Sequence, residues 1–191
     1  MVRRLTEYHP LVPFLGDYQR SVLLAEMERE IGFSHQALKK YLALLVGKGI
    51  LTEERKPKNL IYRINRGNAM VLHYIVAAER MALEEFLGRS QMLKRLYEML
   101  SPCAGKTNVL VFGSSAKGVV GEDIDLLAIG KSPPEDVVGR FEKTYGKKIH
   151  LIFLKSLPGN DAFSREVMKK HLIFSGFDSF VRYFWELSWK G

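Results

Sequence analysis

Cysteine occurs once in the 191 residues, as Cys103, so no internal disulfide forms and no thiolate-rich metal site can be assembled. No apolar run approaches the roughly 18 residues of a membrane span, and Met1 to Pro10, with Arg3 and Arg4 near its start, lacks the apolar core of a signal peptide. The expectation is a cytoplasmic protein that contacts no membrane. Low-complexity tracts and internal repeats are missing, and no stretch has the G-x-x-x-x-G-K-[ST] order of a P-loop, which removes P-loop ATPases. Acidic residues are in deficit, with 21 Asp+Glu against 29 Lys+Arg, a net charge of +8. Residues 1–67 hold 12 of those bases against 7 acids, and residues 68–191 hold 17 against 14. The shorter front part therefore carries most of the excess, and such a module attracts a phosphate backbone. A hydrophobic content of 47% and a charged content of 26% are those of an ordinary globular chain, long enough here for two small domains.

Within residues 1–67, Leu11 to Gly16 reads as a short helix or turn. From Ser21, a candidate N-cap, Leu23, Leu24, Met27 and Ile31 recur at helical spacing while Glu26, Glu28 and Glu30 face outward. Gly32-Phe33 interrupts that helix and Ser34 caps another, in which Leu38, Tyr41, Leu42 and Leu45 fall at i, i+3, i+4 and i+7. Its opposite face carries His35, Gln36, Lys39, Lys40 and Ala43, and Gly47 and Gly49 end it. Ile50 to Arg55 and Leu60 to Asn65 read as strands joined by Lys56-Pro-Lys-Asn59, a hairpin tipped by Arg55, Lys56 and Lys58.

Over about residues 10–66, SVLLAEMEREIGFSHQALKKYLALLVGKGILTEERKPKNLIYRIN resembles the winged helix-turn-helix DNA-binding domain of prokaryotic transcriptional regulators. The resemblance implies double-stranded DNA as a partner. It puts the helix after Ser34 in the major groove, with His35, Gln36, Lys39 and Lys40 nearest the bases and Arg55, Lys56 and Lys58 on phosphates. A solvated helix face on a protein-binding module is the alternative.

Residues 68–89 read as a connecting helix. Leu72, Ile75, Val76, Leu83, Phe86 and Leu87 lie on one side, and Tyr74, Ala77, Ala78 and Met81 on the other. A helix apolar most of the way round must be covered on both sides, between domains or, the preferred reading, between the subunits of a homodimer. A further helix from Ser90 turns Met92, Leu93, Leu96, Tyr97 and Leu100 inward and stops at Ser101-Pro102.

The chemistry-bearing stretch is NVLVFGSSAKGVVGEDIDLLAI, residues 108–129. Four apolar residues, Val109 to Phe112, run into Gly113-Ser114, where backbone amides and hydroxyls emerge from a fixed strand. On the returning strand Asp123 and Asp125 are two apart, so the pleat turns both carboxylates to one face and Ile124 and Leu126 to the other. Glu135 to Tyr145 follows as a helix and Lys148 to Leu154 as a third strand. Asp161 caps a helix running through Phe174, and Gly176 separates it from an aromatic-rich last helix. The order predicts an α+β fold with a small mixed sheet packed by helices.

Residues 90 to about 176 resemble the minimal nucleotidyltransferase domain of the polymerase-beta superfamily, on the Gly-Ser loop, the Asp-x-Asp strand and the helix REVMKKHLIFSG. The resemblance implies a nucleoside triphosphate on Gly113 and Ser114, with Lys117 adding charge, and Mg²⁺ held by Asp123 and Asp125. Eight residues separate Ser114 from Asp123, a shorter loop than minimal members carry. His150 stands where the family places its third acid, and an imidazole suits a transition metal better than Mg²⁺. Glu122 and Asp161 are the other carboxylates that could serve. The expected function is a DNA-binding transcriptional regulator whose second domain binds a nucleotide or a partner. The alternative is a Mg²⁺-dependent, antitoxin-like nucleotidyltransferase acting on a hydroxyl of protein, RNA or a small molecule.

Overall fold

The computed structural model of the chain describes residues 4–57, 59–117 and 123–189. Lys58 and Glu122 therefore lie outside the described residues, as does the side chain of Lys117. The chain is α+β with two separate sheets. It divides into two compact units, Met1–Glu79 and Arg80–Gly191, and the division falls inside helix α3, Val71–Leu87.

In the first unit a 3-10 turn, His9–Phe14, precedes β1, Val22–Leu23, and α1, Leu24–Ile31. Ser21 is not an N-cap. Val22 and Leu23 pair instead with Tyr62 and Ile61, and the cap position is Leu23, whose N–H donates to the Glu26 carboxylate at 2.9 Å. Tertiary pairing thus delays the helix by one short strand. Gly32, at φ +75°, closes α1. Ser34 accepts from the Ala37 N–H to open α2, His35–Gly47, so only three residues separate the helices. Strands β2, Leu51–Lys56, and β3, Asn59–Ile64, form an antiparallel hairpin, and the sheet order is β1-β3-β2. The core gathers Leu11, Phe14, Tyr18, Met27, Leu38 and Leu45. At about 25 cal/mol per Å² of apolar surface, burying such side chains is the main stabilising term. Tyr18 is fully buried, and burial, then the charge of buried Glu79, pushes its phenol well above its ordinary range.

The second unit begins with the end of α3 and with α4, Gln91–Leu100, capped by Ser90 and burying Leu93, Leu96 and Leu100. Strands β4, Thr107–Phe112, and β5, Asp123–Gly130, pair antiparallel. Helix α5, Glu135–Tyr145, crosses to β6, Lys148–Leu154, which runs parallel to β5. Helix α6, Ala162–Lys169, is capped by Asp161, whose carboxylate accepts from the Ser164 N–H at 2.7 Å. The expected continuation of this helix through Phe174 does not occur. His171–Ile173 form β7, which pairs antiparallel with β4 and makes a fourth strand, giving the order β6-β5-β4-β7. Exchanging a last helical turn for ladder bonds also buries Leu172, Ile173 and Phe174. Helix α7, Phe177–Trp189, buries Phe177, Phe180, Val181, Phe184 and Leu187.

Candidate functional site

The sheet of the second unit brings the expected acids together with their loop. Phe112 pairs with Asp125 on one side and His171 on the other, and Asp125 pairs with His150. Directly opposed residues share a face, so His150, Asp125, Phe112 and His171 form one row across four strands. The Asp125 and His150 side chains approach at Oδ1 to Nδ1 3.4 Å, the long limit of a hydrogen bond. Asp123 is exposed and stands beside Lys148 in register.

Gly113 sits at φ +72°, where a side chain is strained. A Cβ there would stand 2.8 Å from Asp125 Oδ2, so the missing side chain is what lets the carboxylate lie over the loop. The Gly113 N–H donates to the Lys170 carbonyl at 3.0 Å, one step past the last β4–β7 pair. This amide extends the sheet, and Ser114 beside it is exposed. Ser115 is fully buried, its hydroxyl donating to the Asp123 carbonyl at 3.4 Å, which ties the two ends of the loop together.

Among the described residues no group of three or more His, Cys, Asp or Glu is gathered so as to hold a metal ion. Two carboxylates and one imidazole do not make the all-oxygen set that Mg²⁺ demands. Asp161 is committed to the α6 cap. Lys148 and Lys170, near this loop by register and by backbone contact, were not singled out from the sequence. Lys148 could have been, because it lies two residues before His150 and shares its face; Lys170 could not, because β7 was unforeseen. A cleft of about 540 Å³ lies elsewhere in this unit, between residues 157–160 and α7, with Arg182, Tyr183 and Glu186 in its wall.

In the first unit His35, Gln36, Lys39 and Lys40 are all exposed on α2. Arg55 and Lys56 are exposed near the hairpin tip. Their charges are not equally available. Lys56 Nζ lies 3.5 Å from Glu54, and Arg63 donates to the same carboxylate at 2.6 Å. The Arg63 hydrogen bond, then the charge of Lys56, holds the Glu54 carboxyl below its ordinary value. Alternation along β2 puts Arg55 on the other face from Lys56. His35 Nδ1 is 3.0 Å from Glu28 Oε1 across the turn between the helices. A cleft of about 460 Å³ opens beside this pair, lined by Leu24, Glu28, His35, Arg55, Lys56 and Asn59, among others.

The class the coordinates define is an α+β chain with two sheets. No helix among the described residues is long and apolar enough to cross a membrane. No family model, curated protein or solved structure matches the chain.

Proposed function

We propose that this protein is a DNA-binding transcriptional regulator: a winged helix-turn-helix followed by a nucleotidyltransferase-like domain that takes a nucleotide or a protein partner. The observation that carries the reading is the exposed row His35, Gln36, Lys39 and Lys40 on a helix three residues after its predecessor, on the same unit as a basic hairpin. The order 3-10 turn, β1, α1, α2, β2, β3, with β1 on the far edge of β3, supports the winged-helix assignment. Gln36 suits an adenine edge, and the lysines supply charge toward phosphates. Pairing through α3 into a homodimer would present two such helices to successive half-sites.

The test is a fluorescence anisotropy titration of the full chain with mixed-sequence duplex DNA at several salt concentrations. Neutralising phosphates releases counterions, so log K should fall linearly with log salt, with a slope of about −0.9 per contact. Substituting Lys39 and Lys40 by Gln should reduce that slope by about 2. A protein that binds no duplex at low salt ends this reading.

One observation favours catalysis as a second reading: Asp125 lies over Gly113 on the strand that also carries Asp123. In that case a nucleoside triphosphate is the substrate: the oxygen of an acceptor hydroxyl bonds the α-phosphorus, the α–β phosphoanhydride bond breaks, pyrophosphate leaves, and the hydroxyl proton passes to solvent. His150 remains in the family's third-acid position. Calorimetry with the four nucleoside triphosphates, with Mg²⁺ and then Mn²⁺, tests it. Binding and label transfer that vanish in Asp123→Ala and Asp125→Ala would support transfer, and absence of heat with every pair would remove it.

A further inference from the structure

The cleft between residues 157–160 and α7 has walls that are held in place before anything enters it. One carbonyl is the anchor: the Gly159 oxygen accepts from the Asp161 N–H at 3.1 Å, the Ser164 hydroxyl at 2.8 Å and the Tyr183 hydroxyl at 3.3 Å. The Tyr183 bond ties the loop to α7, and Arg165 Nε donates to Asn160 Oδ1 at 3.0 Å. The space enclosed, about 540 Å³, is of the size that small-molecule sites have, roughly 300–1,000 Å³. Its apolar surface comes from Leu157, Pro158 and Leu187.

Charge decides what such a space takes. Asp178, Arg182 and Glu186 recur every fourth residue along α7, with Ser179 three residues before Arg182, and all four line the cleft. Asp178 faces Arg80, whose Nη2 lies 3.8 Å from its Oδ2 and whose guanidinium sits over the Phe177 ring, 4.6 Å from the ring centre. Glu186 has an interaction of its own. Among the described residues no hydrogen bond or ion pair engages the exposed side chains of Arg182 and Ser179. Arg182 is therefore the unmatched charge, a cation at the rim of apolar walls.

We propose that this cleft binds a small organic carboxylate carrying an apolar body. The Arg182 guanidinium takes the carboxylate through its paired N–H groups. The Ser179 hydroxyl, one turn earlier, adds a donor, and Leu157, Pro158 and Leu187 cover the body. A phosphate ester brings a second charge and more acceptor atoms than one guanidinium and one hydroxyl satisfy, so a carboxylate is the better match. No covalent step is involved. The site shares no residue with the loop at Gly113 and needs neither DNA nor a nucleotide.

The experiment is a nuclear magnetic resonance titration of the ¹⁵N-labelled full chain with phenylacetate and isovalerate, against phenylacetamide, acetate and phenyl phosphate. The two apolar carboxylates should produce saturable shifts centred on the amides of Gly159, Asn160 and Ser179. Phenylacetamide, without the charge, and acetate, without the body, should each bind about tenfold more weakly. Arg182→Gln should lower the affinity for phenylacetate about tenfold and leave that for phenylacetamide unchanged, and Arg182→Lys should recover part of the loss. Arg182 is exposed, so these variants should keep the wild-type spectrum elsewhere. Equal affinity for acid and amide, an unchanged affinity in Arg182→Gln, tighter binding of phenyl phosphate, or no shift with either apolar carboxylate at about 10 mM overturns the proposal. None of these outcomes bears on duplex binding, so the regulator reading stands or falls separately.

Discussion

Gly113 shows how one missing side chain organises the candidate site. Its positive φ and the Asp125 carboxylate above it leave no place for a methyl group. Gly113→Ala should lower stability by about 1–3 kcal/mol, from left-handed backbone strain and a displaced carboxylate. Urea unfolding would measure this. Circular dichroism should remain native, because the strain is local. His150 is the companion test at this scale: if His150→Asp creates or strengthens label transfer from a nucleoside triphosphate, the site's missing element is that carboxylate. Much at the residue scale could be read in advance. The shared face of Asp123 and Asp125 follows from the pleat alone, whereas the pairing of His150 with Asp125 needs the strand register. The contacts of Gly113 N–H with Lys170 and of Glu28 with His35 could not be read, because each joins elements whose relative placement is set only by the folded core.

Elements with strong internal signals were legible, and those that exist only by pairing were not. Helix α5 and strand β6 have the bounds their periodicity predicts, Ser34 caps as expected, and the helix expected from about Ser90 begins there. Strands β1 and β7, of two and three residues, carry too little pattern to announce themselves. REVMKK reads as helix, and nothing local says that HLI should leave it; the open edge of β4 decides. Asp161, which starts α6, makes a pH-dependent contribution. The Ser164 hydrogen bonds hold its carboxyl below the ordinary value. A depressed folded value means the stabilisation is present above the unfolded value and is lost as pH falls through the folded one. Wild type should therefore lose stability from about pH 4 downward relative to Asp161→Asn, which keeps a capping oxygen without a titrating group. Urea midpoints of the two proteins over that range would show it. The side chain is exposed, so the difference should be small.

At the scale of the whole molecule, α3 belongs to both units. Leu72, Val76, Met81 and Phe86 along it are only partly covered, which fits a helix that meets a second copy. Sedimentation of the wild type should report a dimer, and Met81→Glu should shift it toward monomer at the same concentration, because a charge cannot be buried there unpaired. A monomeric wild type would leave α3 as a connector alone, and the proposed DNA binding would then follow a single-site isotherm.

The sheet order has a consequence for handling the protein. The two edges of β6-β5-β4-β7 differ: β7 is three residues long, while β6 runs for seven, with Leu151 to Leu154 half-buried and no strand on its outer side among the described residues. A long apolar edge is a template on which other chains can stack. Its guard is charge, from Lys147 and Lys148 at the head of the strand. Replacing Lys148 by an apolar residue would open that edge to fibrous or amorphous association on heating, with the native fold otherwise unchanged. The same lysine stands beside Asp123, so solubility and the acidic site share one side chain.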